Sequence, residues 1–181
     1  MNIIQTSMEG LFLIQPNVFS DSRGYFYETY QESLLVKLGL PSGFTQDNQS
    51  FSTKGVLRGL HYQRAPYAQG KLVRVVSGKV LDVVVDLRPG SNTFGKSLSF
   101  ELSGDNKTML YVPEGFAHGF STLEDAVFIY KCTNGYHKAS EGGIRFDDPD
   151  LNIDWGIDKP IVSDKDLELE SFKDFCERES L

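Results

Sequence analysis

The run KLVRVVSGKVLDVVVDL, residues 71–87, limits the fold more than any other stretch of the chain. Two β-branched runs flank Ser77-Gly78, a tight-turn dipeptide, and so predict a hairpin. In the second arm, alternation puts Val80, Val84 and Asp86 on one face and Leu81, Val83 and Val85 on the other. Both faces carry apolar side chains, which predicts a strand covered on both sides. Further strands are predicted at 9–16, 44–51, 56–63, 95–102, 108–112, 117–122 and 126–133. Residues 20–24, SDSRG, read as a loop. TYQESLLVKLGL reads as a short helix that Gly39 closes, and Ser163 to Glu179 reads as helical. Strand after strand with short turns predicts an all-β sandwich or barrel with a few short peripheral helices. No linker, repeat or low-complexity stretch interrupts the 181 residues, so residues 1–181 are expected to form one domain.

The charge balance narrows the partners. A formal net charge of −7 lacks the basic face of a nucleic-acid binder. It does not oppose a small anionic ligand, because the field in a cleft follows the charges nearest to it. The N-terminal MNIIQTSMEG has no basic region followed by an apolar core, and no apolar run reaches membrane-spanning length. Cys132 and Cys176 are not arranged as a metal-type pair. A cytoplasmic protein with reduced thiols and no membrane partner is the expectation.

Three segments carry polar residues inside otherwise apolar strands. In QDNQSFSTKGVLRGLHYQ, residues 46–63, His61 taken alone reads as a core histidine held by one hydrogen bond. Arg58 and the run Gln46-Asp47-Asn48 weaken that reading, since burying so many polar groups is costly unless they meet each other or a ligand. In LYVPEGFAHGF, residues 110–120, Pro113, Gly115 and His118 form P-x-G-x-x-H. The pattern is either a turn leading into a strand or the second sequence motif of cupin jelly rolls, in which this His often ligates a metal. A metal cupin also needs H-x-H in its first motif, and the matching stretch here is His61-Tyr62-Gln63. Too few donors remain for an ordinary transition-metal site, so the expected barrel is a cupin without metal. In FIYKCTNGYHKASEGGIRFDDP, residues 128–149, Tyr130 and Tyr136 read locally as half-buried aromatics and Glu141 as a loop charge.

The stretches DSRGYFYE, QDNQSFSTKGVLRGLHYQ, GKLVRVVSGKVLDVVVDLRPGSNTFG, YVPEGFAHGF, EGGIRFDDP and SDKD, with Tyr130-Lys131, occur in one order along nearly the whole chain. In this it resembles the dTDP-4-dehydrorhamnose 3,5-epimerase family. The resemblance implies a jelly-roll cupin homodimer with no metal and no organic cofactor. The substrate it implies is dTDP-4-keto-6-deoxy-D-glucose. It also implies that His61 is the catalytic base, Asp166 its carboxylate partner and Tyr130 the general acid, with Lys71 and His118 near the keto oxygen of the sugar. Arg23, Glu28, Gln46, Asp47, Asn48, Arg58, Glu141 and Lys165 match nucleotide-sugar contacts, and Phe26 and Tyr136 match aromatics around the thymine. Gly135 departs from the aromatic found there in many relatives.

These groups suit chemistry beside a ketone. A proton on the neighbouring carbon is removed to give an enolate, and inversion needs a base on one face and an acid on the other. An imidazole, with an ordinary pKa of about 6.5, is a suitable base near neutrality. A carboxylate holds its ring and stabilises the imidazolium. A lysine stabilises charge on the keto oxygen, and Arg23, Arg58 and Lys165 offer cations to a diphosphate. Asp166 has a competing assignment, because Ser163-Asp164-Lys165-Asp166 also fits a helix-capping box. The alternatives to a 3,5-epimerase are a 3-epimerase or keto-isomerase on the same scaffold, a non-catalytic sugar-nucleotide-binding cupin and a metal-dependent oxygenase.

Overall fold

Two long bent strands organise the molecule. A computed structural model describes residues 1–37 and 39–181. In it β7 runs unbroken from Lys71 to Asp86 and β10 from Phe116 to Cys132. They pair antiparallel along nearly their whole length. The hairpin predicted at Ser77-Gly78 is therefore absent, and the two strands predicted at 117–122 and 126–133 are one. Gly78 has φ +75°, and a Cβ there would lie 1.9 Å from the carbonyl oxygen of Asp125 on β10. The turn dipeptide makes a bend where β10 crosses at close range. Opposite it β10 carries register shifts between Thr122 and Phe128.

The bend splits one continuous ladder into two facing sheets. The remaining strands are β1 (Asn2–Gln5), β2 (Phe12–Gln15), β3 (Phe19–Asp21), β4 (Gly24–Phe26), β5 (Gln46–Ser52), β6 (Leu57–Gln63), β8 (Ser97–Ser103), β9 (Met109–Val112) and β11 (Glu141–Gly143). One sheet runs β1-β2-β9-β7-β10-β5 through the first half of β7 and the second half of β10. The other runs β8-β7-β10-β6-β11 through their opposite halves. All of these pairings are antiparallel, which gives a jelly-roll sandwich of cupin type.

The space between the sheets is filled by Val73, Val75, Val80, Val84, Leu102, Leu110, Phe120 and Phe128. The outer face of the second sheet is also buried, with Val83, Val85, Leu57 and Leu60 packed against Ile144, Trp155 and Phe175. Each such side chain contributes roughly 1.5–3 kcal/mol on burial, enough to hold the C-terminal segment on the barrel. The two-faced reading of β7 is thus correct, with Val80 and Val84 facing the interior and Val83 and Val85 the tail. Asp86, also buried, is held by Arg88, Ser91 and Thr93.

Three local expectations change and a fourth holds. The first strand predicted at 9–16 is β2, and it is preceded by β1. SDSRG is not a loop but the tip of the β3–β4 hairpin, closed by the Asp21 carboxylate accepting from the Arg23 N–H at 2.8 Å. Its residues are exposed, so no hydrophobic alternation marked it. The tail contains two helices, α2 (Asp164–Leu167) and α3 (Phe172–Glu179), separated where Glu170 bridges to Ile144. Helix α1 spans Glu32–Lys37, and Gly39 follows it with φ +71°, its N–H donating to the Val36 carbonyl. Leu38, within that predicted helix, lies outside the described residues. None of the described helices is long and apolar enough to cross a membrane.

Candidate active site

β6, β7 and β10 run side by side, so residues far apart in sequence face one cavity of about 390 Å3. On β10, alternation turns His118, Phe120, Phe128 and Tyr130 inward. On β6, residues 58 and 61 would point to opposite faces of a regular strand. Gly59, with φ +114°, and a register shift against β10 bring Arg58 and His61 to the same cavity. A Cβ on Gly59 would lie 2.6 Å from the Gly119 Cα, so the two strands meet through paired glycines.

His61 Nε2 lies 2.7 Å from Asp166 Oδ1, and the Gly59 N–H donates to Asp166 Oδ2 at 3.2 Å. Asp166 is almost wholly buried, while about a third of the His61 side chain is exposed to the cavity. The competition between cap and dyad is resolved by geometry. Ser163 caps α2 with its hydroxyl, which accepts from the Asp166 backbone N–H, and this leaves both carboxylate oxygens to β6. Burial raises the Asp166 carboxyl, but hydrogen bonds from His61 and Gly59 and the nearby Lys165 outweigh it and hold it below its ordinary range.

Tyr130 and Lys71 line the same cavity. Burial pushes the Tyr130 hydroxyl upward, with Arg58 opposing, so it stays a neutral phenol able to give a proton. Burial pushes the Lys71 ammonium downward, against the pull of Cys132, Asp82 and Glu141. Its Nζ donates to the His61 carbonyl at 3.4 Å. His118 sits across the strand pair from His61, with its Nε2 2.9 Å from the buried carboxylate of Asp82. Burial raises the Asp82 carboxyl and the contact with His118 opposes this. Asp82 is absent from the sequence-derived site. The signal for it was present, because alternation puts it between Val80 and Val84 on the interior face. Among the described residues, no group of three or more His, Cys, Asp or Glu side chains is placed to hold a metal ion.

Around this centre, Asn48 and Lys165 also line the cavity. Gln46 donates to Asn48 and accepts from the Tyr136 N–H. Tyr136, Glu141 and Lys165 form a chain at the mouth, with Glu141 accepting from Tyr136 at 2.8 Å and from Lys165 at 2.6 Å. Arg58, expected to be buried, is exposed, and its Nε donates to Ser52 Oγ. Asp47 alternates to the outer face of β5 and pairs with Lys131. Arg23, Phe26 and Glu28 are not brought to this cavity. They sit on or just beyond the exposed β3–β4 hairpin, where Arg23 pairs with Asp21.

A cupin-type jelly roll that sets a carboxylate-bound imidazole, a phenol and a lysine around one cavity is the scaffold of a carbohydrate epimerase. The family model for dTDP-4-dehydrorhamnose 3,5-epimerase matches residues 5–174. The enzyme of that name from Escherichia coli K12 is 52% identical over 172 residues, covering 93% of each chain. The crystal structure of the Elizabethkingia anophelis epimerase superposes with a TM-score of 0.92 at 52% identity, covering 96% of this chain and 97% of that one. The Legionella pneumophila enzyme in complex with dTDP-4-keto-L-rhamnose gives a TM-score of 0.91 at 47% identity, covering 95% and 93%. The chain belongs to the dTDP-4-dehydrorhamnose 3,5-epimerase family.

Proposed function

We propose that this enzyme converts dTDP-4-keto-6-deoxy-D-glucose to dTDP-4-keto-L-rhamnose through the His61–Asp166 pair, Tyr130 and Lys71. The observation that carries the assignment is the 2.7 Å contact between His61 and a buried carboxylate in a cavity shared with Tyr130 and Lys71. Asp166 accepts from Nε2–H, which leaves Nδ1 as the base. Nδ1 takes the proton from C3 or C5, and the electron pair moves onto the C4 oxygen as an enolate. Lys71 and His118 stabilise that oxygen. Tyr130 returns a proton to the opposite face, and solvent restores the phenol and takes the proton from the imidazolium.

Arg58 and Lys165 receive the diphosphate, with Lys165 exchanging Glu141 for phosphate. Gln46, Asn48, Tyr136 and Glu141 hold the rest of the nucleotide sugar. Residues 1–181 act as one cupin unit in a cytoplasmic homodimer. The exposed Phe19, Tyr25 and Phe26 of the hairpin support the dimer, because so much apolar surface on a two-stranded arm calls for a partner. The arm of a second copy then brings Arg23, Phe26 and Glu28 to the cavity, and Asp47 reaches the substrate from the same shared face.

The test is turnover of dTDP-4-keto-6-deoxy-D-glucose followed by reduction at C4 and NMR of the sugar, with light scattering on the same sample. L-Rhamno product from a dimer is the expected result. A product inverted at C3 alone would make the enzyme a 3-epimerase, and a fully active monomer would remove the dimer.

A further inference from the structure

We propose that Tyr62, Glu170 and Arg178 form a positioning cluster that fixes the Asp166 carboxylate against His61 from outside the cavity. The inference rests on the assignment of His61 and Asp166 as the working pair. Asp166 lies on α2, a single turn of four residues. A helix so short has no stability of its own, so its placement is set by what ties down its two ends.

The upstream tie is a pair of backbone hydrogen bonds beside Val162, which packs on the outer hydrophobic cluster. The Ile161 N–H donates to the Gly55 carbonyl at 2.8 Å, and the Ile161 carbonyl accepts from the Leu57 N–H at 2.9 Å, at the entrance to β6. The downstream tie has a backbone part, in which the Glu170 carbonyl accepts from the Arg145 N–H at 2.9 Å. It also has a side-chain part, and that part closes a ring. Glu170 Oε1 accepts from Arg178 Nη2 at 2.8 Å and from the Tyr62 hydroxyl at 3.2 Å, and Arg178 Nη2 also donates to that hydroxyl at 2.8 Å.

Tyr62 is the residue after His61 on β6. Alternation points His61 into the cavity and Tyr62 out of it. The ring therefore joins three pieces of chain, namely the strand bearing the base, the end of the segment bearing Asp166 and the C-terminal helix α3. Glu170 and Arg178 are each about a third exposed, so their ion pair contributes little to global stability. What the ring supplies is geometry. Glu170 is four residues beyond Asp166, and any slide of that segment along β6 moves the carboxylate away from Nε2. None of the three side chains lines the cavity shared by His61 and Asp166, and only Tyr62 borders the smaller one that His61 shares with Lys71 and Tyr130.

The test uses the full-length enzyme with Arg178→Met, Arg178→Lys, Asp166→Asn and the double variant Arg178→Met/Asp166→Asn. A displacement of about 1 Å at a catalytic group costs on the order of 10²-fold, so a partial release in Arg178→Met is expected to lower kcat by about tenfold or more. KM and Tm stay near those of the wild type, and Arg178→Lys recovers most of the loss. The downfield proton of His61 Nε2–H, read by NMR on the ligand-free enzyme, shifts or broadens in Arg178→Met. In the Asp166→Asn background, Arg178→Met adds no further loss, because both changes act through one contact. An unchanged kcat in Arg178→Met, or an equal loss with and without Asp166, overturns the positioning role. A kcat loss that follows a lower Tm and is not restored by Arg178→Lys overturns it as well. Full activity in Asp166→Asn instead overturns the underlying dyad assignment, so the two failures are distinguishable.

Discussion

Asp166 was legible in the sequence only as two rival roles, a cap or a catalytic partner, because a capping box and a dyad both want its carboxylate. In the structure the Ser163 hydroxyl makes the cap by accepting from the Asp166 N–H, and the Asp166 carboxylate meets His61 and the Gly59 N–H instead. Asp82 went unread for a related reason. One aspartate in a valine run looks like punctuation until its partner, His118 on β10, is brought beside it. Tyr130 yields a sharper expectation. Burial pushes its hydroxyl further up from the ordinary tyrosine range, and Tyr130→Phe removes the hydroxyl proposed as donor while leaving the ring packed on Phe128. Net inversion should fall by about 10²–10⁴-fold at one carbon at least, while solvent exchange continues. Equal losses of deuterium incorporation and of product would contradict this. Arg58→Ala should weaken dTDP binding by about 1.5–3 kcal/mol, the usual worth of a hydrogen bond to a charged group. Isothermal calorimetry checks it, and unchanged affinity would leave Arg58 as a strut for Ser52.

At the scale of elements, strands β5, β6, β8 and β9 were legible as short runs bounded by turn residues, β8 through its alternating Leu98, Phe100 and Leu102 and β9 as the wholly apolar run Met109–Val112. The bend in β7 was not, because Ser77-Gly78 is a good hairpin signal and the strand that overrides it, β10, lies far off in sequence. The glycine is required by that crossing and not by a turn. Gly78→Ala sets a Cβ against the Asp125 carbonyl on a backbone with positive φ. The expected cost is about 2–5 kcal/mol, from left-handed strain and overpacking together. Thermal unfolding checks it, and a Tm within a degree of wild type would mean that the crossing relaxes freely. The β3–β4 hairpin escaped the sequence reading because its contacts within the chain are few, and its exposed aromatics give no inward face to detect.

For the whole molecule, the acidic composition pointed away from nucleic acid, and Arg58, Lys71 and Lys165 nonetheless line one cavity while Arg23 stays on the exposed hairpin. The loop after β7 supplies a stability expectation. Burial alone would raise the Asp86 carboxyl, yet hydrogen bonds from Arg88, Ser91 and Thr93 hold it well below the ordinary range. Its folded pKa is depressed, so its contribution is complete above the unfolded value of about 3.9 and is lost as pH falls toward the folded value. Asp86→Asn should therefore lower Tm at neutral pH, and the gap from wild type should shrink once pH drops below about 4. A gap independent of pH would place the effect in packing alone.

The central claim is that His61 moves protons at both carbons beside the ketone. The most direct measurement is NMR of the sugar after incubating dTDP-4-keto-6-deoxy-D-glucose with the enzyme in deuterated water, with His61→Ala run in parallel. The account predicts deuterium at C3 and at C5 with the wild type and at neither carbon with a folded His61→Ala. Near wild-type incorporation by that variant would contradict it.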